Sequence, residues 1–186
     1  YGLRQRFNAS KDVVERSVLF LYLNRHCYNG LCRYNPSGIF NVPFGRYKAP
    51  YFPEKELKLF AEKSTRATFS CLSFSEIMKN VPIDSAIYCD PPYAPVSDTA
   101  YFTSYAKQGF GTDEQKLLAD LAVQINAEQG NFVMISNHDT VLTREIYAGA
   151  KIIELSVSRF ISQKGDSRKK VSELLAVYKK RRGNIR

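Results

Sequence analysis

Apolar residues recur at helical spacing at Val14, Val18, Leu21 and Tyr22 after Ser10, which predicts an opening helix that ends near Asn24. From Arg25 to Pro53 neither a period of 3.6 nor one of 2 appears. That stretch is crowded with Tyr, Asn, Gly, Pro and Arg, reads as a long loop, and is of a kind that seldom makes a core. Pro53 with Glu54 and Glu56 opens a second helix to about Lys63, because proline suits the first helical position and acids suit the positive end. Regular alternation follows. Residues 67–73 and 85–90 are short apolar runs on either side of a helical stretch, 74–79, which predicts strand, helix, strand.

Thr112 and Gln115 form a capping-box pattern for a helix over 112–128, with Leu117, Leu118, Leu121 and Ile125 on its buried side and Gly130 closing it. Residues 132–136 then read as a buried strand, 143–147 as a short helix and 152–160 as a longer strand. Residues 171–178 alternate as well. The polar, basic stretch 162–170 between the last two predicts an antiparallel pair that projects a charged loop. No internal repeat is present. The class is α/β, with a loop region inserted before the second helix.

At 186 residues and 44% hydrophobic the chain is long enough for one domain with a packed core. It begins at Tyr1 rather than Met, and reads as a soluble protein and as a candidate fragment. No apolar run approaches the roughly 18 to 20 residues that a bilayer span requires. The four cysteines, Cys27, Cys32, Cys71 and Cys89, are too scattered for a disulfide framework, and Cys71 and Cys89 fall in the strand-like runs, so a reducing cytoplasm fits best. The net charge of +9 is less informative than its distribution: residues 1–48 carry +6, residues 49–157 carry −5 and residues 158–186 carry +8. Basic flanks around an acidic middle fit a polyanion gripped at one face; a solvated surface with a basic tail over 179–182 is the plainer alternative.

Asp90-Pro91-Pro92-Tyr93 follows an apolar strand, and open α/β sheets place their ligands at the carboxyl ends of strands. The prolines lack N–H groups and push the residues before them into extended geometry, so the loop is stiff and a carboxylate and a carbonyl point one way. That pair suits methylation of an aromatic amine. Adenine N6 is a poor nucleophile because its lone pair is delocalised into the ring. If the Asp90 carboxylate and the Pro91 carbonyl both accept from the amino group, the lone pair is freed toward an incoming methyl. Tyr93 would stack on the base, which must first leave the duplex. A proline turn after a strand, with Asp90 solvated, is the alternative reading of these four residues.

Residues 24–35 combine planar aromatics, amides and arginine with Gly30, the groups that read base edges. Arginine pairs in bidentate fashion with guanine, for roughly 1 to 3 kcal/mol of discrimination, Leu or Pro meets a thymine methyl, and tyrosine wedges between base pairs. A structured surface loop is the alternative, and Cys27 and Cys32 with His26 could form half of a zinc site, although no second ligand pair has the right spacing.

The motifs Leu-Asn-Arg, Tyr-Asn-Gly-Leu-Cys-Arg-Tyr-Asn, Phe-Asn-Val-Pro-Phe-Gly-Arg-Tyr-Lys, Tyr-Cys-Asp-Pro-Pro-Tyr and Ile-Ser-Asn-His-Asp, in that order along nearly the whole chain, resemble Dam-type DNA adenine-N6 methyltransferases. The resemblance implies methylation of the adenine in GATC within duplex DNA, with S-adenosylmethionine as donor. It implies a Rossmann-like S-adenosylmethionine-dependent methyltransferase fold, partial because the N-terminal strands are absent, with an inserted target-recognition region. Residues 1–66 would be that helical and loop region, and 67–186 the C-terminal part of the catalytic domain.

Carried over by position, the resemblance makes Asp90, Pro91, Pro92 and Tyr93 the target-amine pocket. Arg33 would read a guanine, and Leu31 and Pro43 would meet thymine. Tyr28 would intercalate and Asn29 would face the orphaned thymine. Asn35, Tyr47 and Lys48 would be further DNA contacts, and Arg168, Lys169 and Lys170 phosphate contacts. Asp90 and Phe74 are the candidate donor contacts; no metal is implied.

Two other features carry no chemistry in this reading. Ser136-Asn137-His138-Asp139 suggests a hydrolytic triad, but consecutive residues cannot converge on one nucleophile-base-acid geometry. Gly109-Phe110-Gly111 has no strand before it and is not a cofactor loop. The glycine-rich turn that holds the donor in the family has no counterpart here. The competing reading is therefore a non-catalytic duplex DNA-binding remnant of such an enzyme. Methylation of RNA or of a protein amide is a third, opposed by Asp90 in place of Asn and by the duplex-reading insert. No obligatory protein partner and no membrane are expected.

Overall fold

The computed structural model describes residues 1–95, 110–158 and 170–179. The chain divides into two compact units, Tyr1–Phe69 and Ser70–Arg186, each with its own apolar cluster.

The first unit begins with a helix not expected from the pattern, α1 (Gly2–Ala9), followed by α2 (Val13–His26). Asp12, not Ser10, caps α2: its carboxylate accepts from the Glu15 N–H at 2.6 Å. The buried face of α2 is also not the one its spacing suggested. Leu19 and Leu23 are buried, whereas Val14, Val18 and Tyr22 are exposed. The reason lies downstream, in the stretch read as a loop without core. Phe40 and Val42 are 1% and 0% exposed and pack with Phe7, Leu19, Leu23 and Cys27. The Asn8 amide holds the Phe40 backbone at both N–H and C=O (2.9 and 3.0 Å), and Arg4 donates to the Val42 carbonyl at 2.8 Å. A segment with no period of its own thus becomes core because side chains of α1 satisfy its backbone. The unit ends with α3 (Glu54–Ser64).

In the second unit, α4 (Phe74–Lys79) forms as expected, with Ser73 and Glu76 making a reciprocal capping box. The strand expected over 67–73 does not form. Phe69 and Leu72 are exposed and Cys71 lies at the surface rather than in a core strand; an apolar run becomes a strand only by pairing with an edge, and 67–73 pairs with none although β1 stands at the edge of the described sheet.

The sheet is mixed, in the order β1 (Ala86–Cys89), β2 (Phe132–His138), β4 (Lys170–Tyr178), β3 (Lys151–Ser158). β1 and β2 are parallel, with Cys89 opposite Ile135; β2 and β4 are antiparallel, with Asn137 opposite Leu174; β3 and β4 form the expected antiparallel pair. The parallel connection contains α5 (Thr112–Gln129), and α6 (Val141–Ile146) follows β2. The core joins Leu118, Leu121, Ala122 and Ile125 of α5 to Val133 and Ile135 of β2, Leu174 and Ala176 of β4, and Tyr147. Leu117, expected on the buried side, is 45% exposed. Gly130 ends α5 in the left-handed conformation, φ 75°, as its position predicted.

The start of α5 corrects a further expectation. Its cap is Gly111, whose N–H is accepted by the Glu114 carboxylate at 2.7 Å; the Thr112 and Gln115 box does not form. Gln115 instead turns inward and is 4% exposed.

Candidate active site and nucleic-acid interface

β1 ends at Cys89, so Asp90 leaves the sheet at the carboxyl end of a parallel strand, and its side chain is exposed. The next strand over supplies its orientation. The Ser136 hydroxyl lies 2.9 Å from Asp90 Oδ1 and receives the Tyr88 hydroxyl at 3.1 Å. A carboxylate oxygen pinned by a hydroxyl from a neighbouring strand keeps its lone pairs aimed without being neutralised.

Beyond Asp90 the loop is tied down residue by residue. The Gln115 amide donates to the Pro92 carbonyl at 2.8 Å, and the Ala94 N–H donates to Asn137 Oδ1 at 2.8 Å. His138 Nδ1 lies 2.7 Å from the Ala94 carbonyl, and its ring meets the Tyr93 ring edge-on with centroids 5.0 Å apart. Tyr93 is half-buried, its hydroxyl reaches Glu173 at 3.5 Å, and burial chiefly holds its phenol above the ordinary range. The ring is therefore neutral at physiological pH. Ser136, Asn137 and His138 do not assemble a triad: each holds a different part of the Asp90 to Ala94 loop, while Asp139 pairs with Arg144 at 2.6 Å. Sequence reasoning gives no site role to these three or to Gln115. The available signal was three polar residues continuing an apolar strand.

Against the same loop lies a cavity of about 340 Å³, lined among others by Phe74, Ile77, Ile87, Asp90, Phe110 and Leu118. Phe74 and Phe110 form tilted aromatic walls 5.4 Å apart. Cys89, also in the lining, has its thiol pushed up to about 11 by burial, so it is neutral and acts as an apolar surface. Among the described residues Asp90 is the one charged group in the lining, which fits a flat aromatic group with a polar edge rather than a polyanion. Phe74 and Asp90, named together as candidate donor contacts, both line this cavity.

The first unit presents the other candidate residues on a tightly braced backbone. Tyr28, Asn29 and Gly30 form a single 3-10 turn, with Asn29 at φ 50°. The Tyr28 N–H donates to the Pro43 carbonyl at 2.9 Å, joining the two segments that carry Tyr28 and Pro43. The Tyr47 hydroxyl accepts from the Asn29 N–H at 2.9 Å. Gly45 makes room for this: a Cβ there would run into the Tyr47 ring and the Cys27 carbonyl. Tyr28, Asn29, Leu31, Arg33, Pro43, Tyr47 and Lys48 are all exposed. Asn29, Tyr47 and Lys48 line one polar cavity of about 470 Å³ with Arg25 and Tyr51. Arg33 is held in place by Asn41, with Nε donating to Asn41 Oδ1 at 2.8 Å.

Asn35 differs from its neighbours. Its carbonyl oxygen accepts from the Ser37 and Ile39 N–H groups (3.0 and 2.9 Å), so the side chain builds a turn. Cys27 is buried in the apolar cluster whereas Cys32 is exposed. Gly109, the charged loop over 162–169 with Arg168 and Lys169, the side chain of Lys170, and the tail over 180–186 lie outside the described residues. Among the described residues no helix is long and apolar enough to cross a membrane.

A carboxylate and proline-stiffened loop at a strand end, an adjoining aromatic cavity, and a separate unit presenting arginine, tyrosine and amide groups are compatible with an enzyme acting on a nucleic-acid base. Residues 1–161 match the model of the D12 class N6 adenine-specific DNA methyltransferases, and the chain belongs to that family. Its relatives include proteins named DNA adenine methylase. That of Vibrio cholerae serotype O1 is 56% identical over 176 residues, covering 95% of this chain and 64% of the relative. That of Escherichia coli K12 is 55% identical over 179 residues (96% and 64%), and that of Haemophilus influenzae 52% over 178 residues (96% and 62%). The chain thus spans just under two thirds of the length of these relatives.

Proposed function

We propose that this chain carries the target-reading and base-receiving parts of a DNA adenine-N6 methyltransferase that acts on GATC in duplex DNA, with S-adenosylmethionine as donor. The observation that carries the reading is the placement of the exposed Asp90 carboxylate, oriented by Ser136, at the head of a loop fixed at Pro92 and Ala94 and beside the Phe74 and Phe110 cavity. In this reading Asp90 and the Pro91 carbonyl accept from the amino group of a flipped adenine, localise its lone pair on nitrogen, and Asp90 provides the path by which the surplus proton leaves. Tyr93 stacks on the base. Phe74 and Asp90 hold the adenosyl part of the donor, which supplies an electrophilic methyl on a sulfonium.

Tyr28 wedges into the duplex, Asn29 faces the orphaned thymine, Leu31 and Pro43 meet thymine, and Arg33 reads a guanine. Tyr47 and Lys48 add contacts from the same surface, Asn35 shapes the turn behind it, and Arg168, Lys169 and Lys170 grip phosphate. Residues 1–66 act as the target-recognition region and 67–186 as the C-terminal part of the catalytic domain. The parallel β1–β2 pair followed by the antiparallel β4–β3 pair supports a Rossmann-like methyltransferase fold for that part. We place the protein in a bacterial or phage-infected cytoplasm, on DNA.

Labelled methyl transfer from S-adenosylmethionine to duplexes containing GATC or GTTC tests the proposal. Incorporation into GATC alone is expected. Salt-dependent binding to both duplexes, with neither incorporation nor donor binding, would reduce the chain to a DNA-binding remnant.

A further inference from the structure

Three buried side chains form a network behind the Asp90 to Ala94 loop. Gln115, Asn137 and Tyr147 are 4%, 0% and 0% exposed and come from α5, β2 and the end of α6. Gln115 Nε2 donates to the Pro92 carbonyl at 2.8 Å, while its Oε1 accepts from the Tyr147 hydroxyl at 2.9 Å and from Asn137 Nδ2 at 3.0 Å. Asn137 Nδ2 also donates to the Tyr147 oxygen at 3.1 Å, and Asn137 Oδ1 accepts from the Ala94 and His138 N–H groups at 2.8 and 2.9 Å.

The donor count leaves one orientation for each amide. Turning Gln115 over would set its oxygen against the Pro92 carbonyl, and turning Asn137 over would set its NH₂ against two backbone N–H groups. A buried network in which every group has a partner is rigid, because no member moves without stranding another.

The geometry has a specific consequence for Tyr93. The Pro92 carbonyl belongs to the peptide plane before its Cα, and the Ala94 N–H to the plane after it. Fixing both planes fixes φ and ψ at Tyr93 and so the direction in which its ring leaves the backbone.

We propose that Gln115 is a positioning residue for methyl transfer: through the Pro92 carbonyl it sets the backbone of Tyr93, and with it the place of the flipped adenine between Tyr93 and Asp90. This rests on the reading of the site as a base pocket. Gln115 touches neither substrate in this scheme, so its loss acts on turnover rather than on recognition of DNA by the first unit.

Two variants separate positioning from general support. Gln115→Leu removes both sets of bonds. Gln115→Glu keeps an oxygen for Tyr147 and Asn137 but faces the Pro92 carbonyl with a second oxygen, which donates only when the carboxyl is protonated. Gln115→Leu is expected to lower kcat about a hundredfold, the cost of small misplacement of a reacting group. Gln115→Glu is expected to match that loss at high pH and to recover toward the parent as pH falls through the carboxyl's titration, raised by burial, an inflection that the parent lacks. Kd for a GATC duplex should stay within about twofold of the parent in both.

Equal kcat in all three proteins, or a loss in Gln115→Glu with no recovery at low pH, overturns the proposal. If the parent itself transfers no methyl, the base-pocket reading fails on its own, and amide hydrogen exchange at Ala94 decides the present one. Exchange about tenfold faster in Gln115→Leu than in the parent at the same pH supports it. Unchanged exchange shows that Gln115 does not hold this loop.

Discussion

In the unit Ser70–Arg186 the loop from Asp90 to Ala94 is gripped by buried side chains, whereas in Tyr1–Phe69 the bracing runs through backbone groups and exposed pairs such as Arg33 with Asn41, and most candidate reading groups are exposed. Pro92 and Ala94 are bonded to Gln115 and Asn137, and Tyr93 is packed on His138. Tyr28 and Asn29 are held through their backbone N–H groups, by the Pro43 carbonyl and the Tyr47 hydroxyl, while their side chains stay exposed. In the proposed function the difference follows from two tasks. Attack on a methyl group would tolerate little error in the position of a nitrogen, which suits a loop fixed from behind by buried side chains. Reading a duplex would require side chains that exchange water for base edges, which suits exposed groups on a braced platform.

The largest test of that contrast is Asp90→Ala. It should lower methyl transfer at least about a thousandfold, in line with the loss of a preorganised acceptor, while the Kd for a GATC duplex changes by less than about threefold; a parallel loss of binding would erase the division of labour. Next is Asn137→Leu, which strands the Ala94 N–H and removes the Asn137 bonds to Gln115 and Tyr147. A loss of about 2 to 4 kcal/mol in urea unfolding is expected, and a loss below about 0.5 kcal/mol would mean that the loop is not held from the core.

In the first unit Arg33→Ala should cost about 1 to 3 kcal/mol of discrimination at one guanine position, seen as a narrowed gap between cognate and substituted duplexes with thermal stability unchanged. An equal loss on every duplex would make Arg33 a phosphate contact instead.

The smallest effect is electrostatic. The Arg144 guanidinium, bonded to Asp139, holds that carboxyl below its ordinary value. A depressed folded-state pKa stabilises above the unfolded pKa and is lost as pH falls through the folded one. The Tm difference between the parent and Arg144→Leu should therefore be constant from about pH 7 to 5 and shrink below about pH 4. A difference that grows on acidification would contradict the assignment.

The elements most legible in the sequence were those whose signal is local. Gly130 closes α5 because a left-handed position selects glycine, and α4 and the β3–β4 pair follow from spacing and a polar connection. The Asp-Pro-Pro-Tyr loop was equally legible, since proline acts on its own neighbours. Misreadings occurred where the outcome turned on partners distant along the chain. Gln115 sits where a capping box would use it, but Glu114 caps the Gly111 N–H and releases Gln115 to the Pro92 carbonyl. The run 67–73 has strand composition but pairs with no strand among the described residues, although β1 stands at the edge of the sheet. Phe40 and Val42 lie in a stretch without period, and become core because Asn8 and Arg4 reach across to bond their backbone.

By itself the sequence determined the α/β class, the stiff loop at a strand end, the aromatic and basic stretch and the resemblance that ordered motifs carry, because each is written in contiguous residues. Only the tertiary structure decided that Ser136, Asn137 and His138 serve the Asp90 loop rather than a triad, that Gln115 joins them, and that Phe74 shares a cavity with Asp90. Ser136 is 46 residues from Asp90 along the chain, and Gln115 is 23 from Pro92. Side-chain hydrogen bonds of that span depend on strand register and helix rotation, which no local pattern encodes.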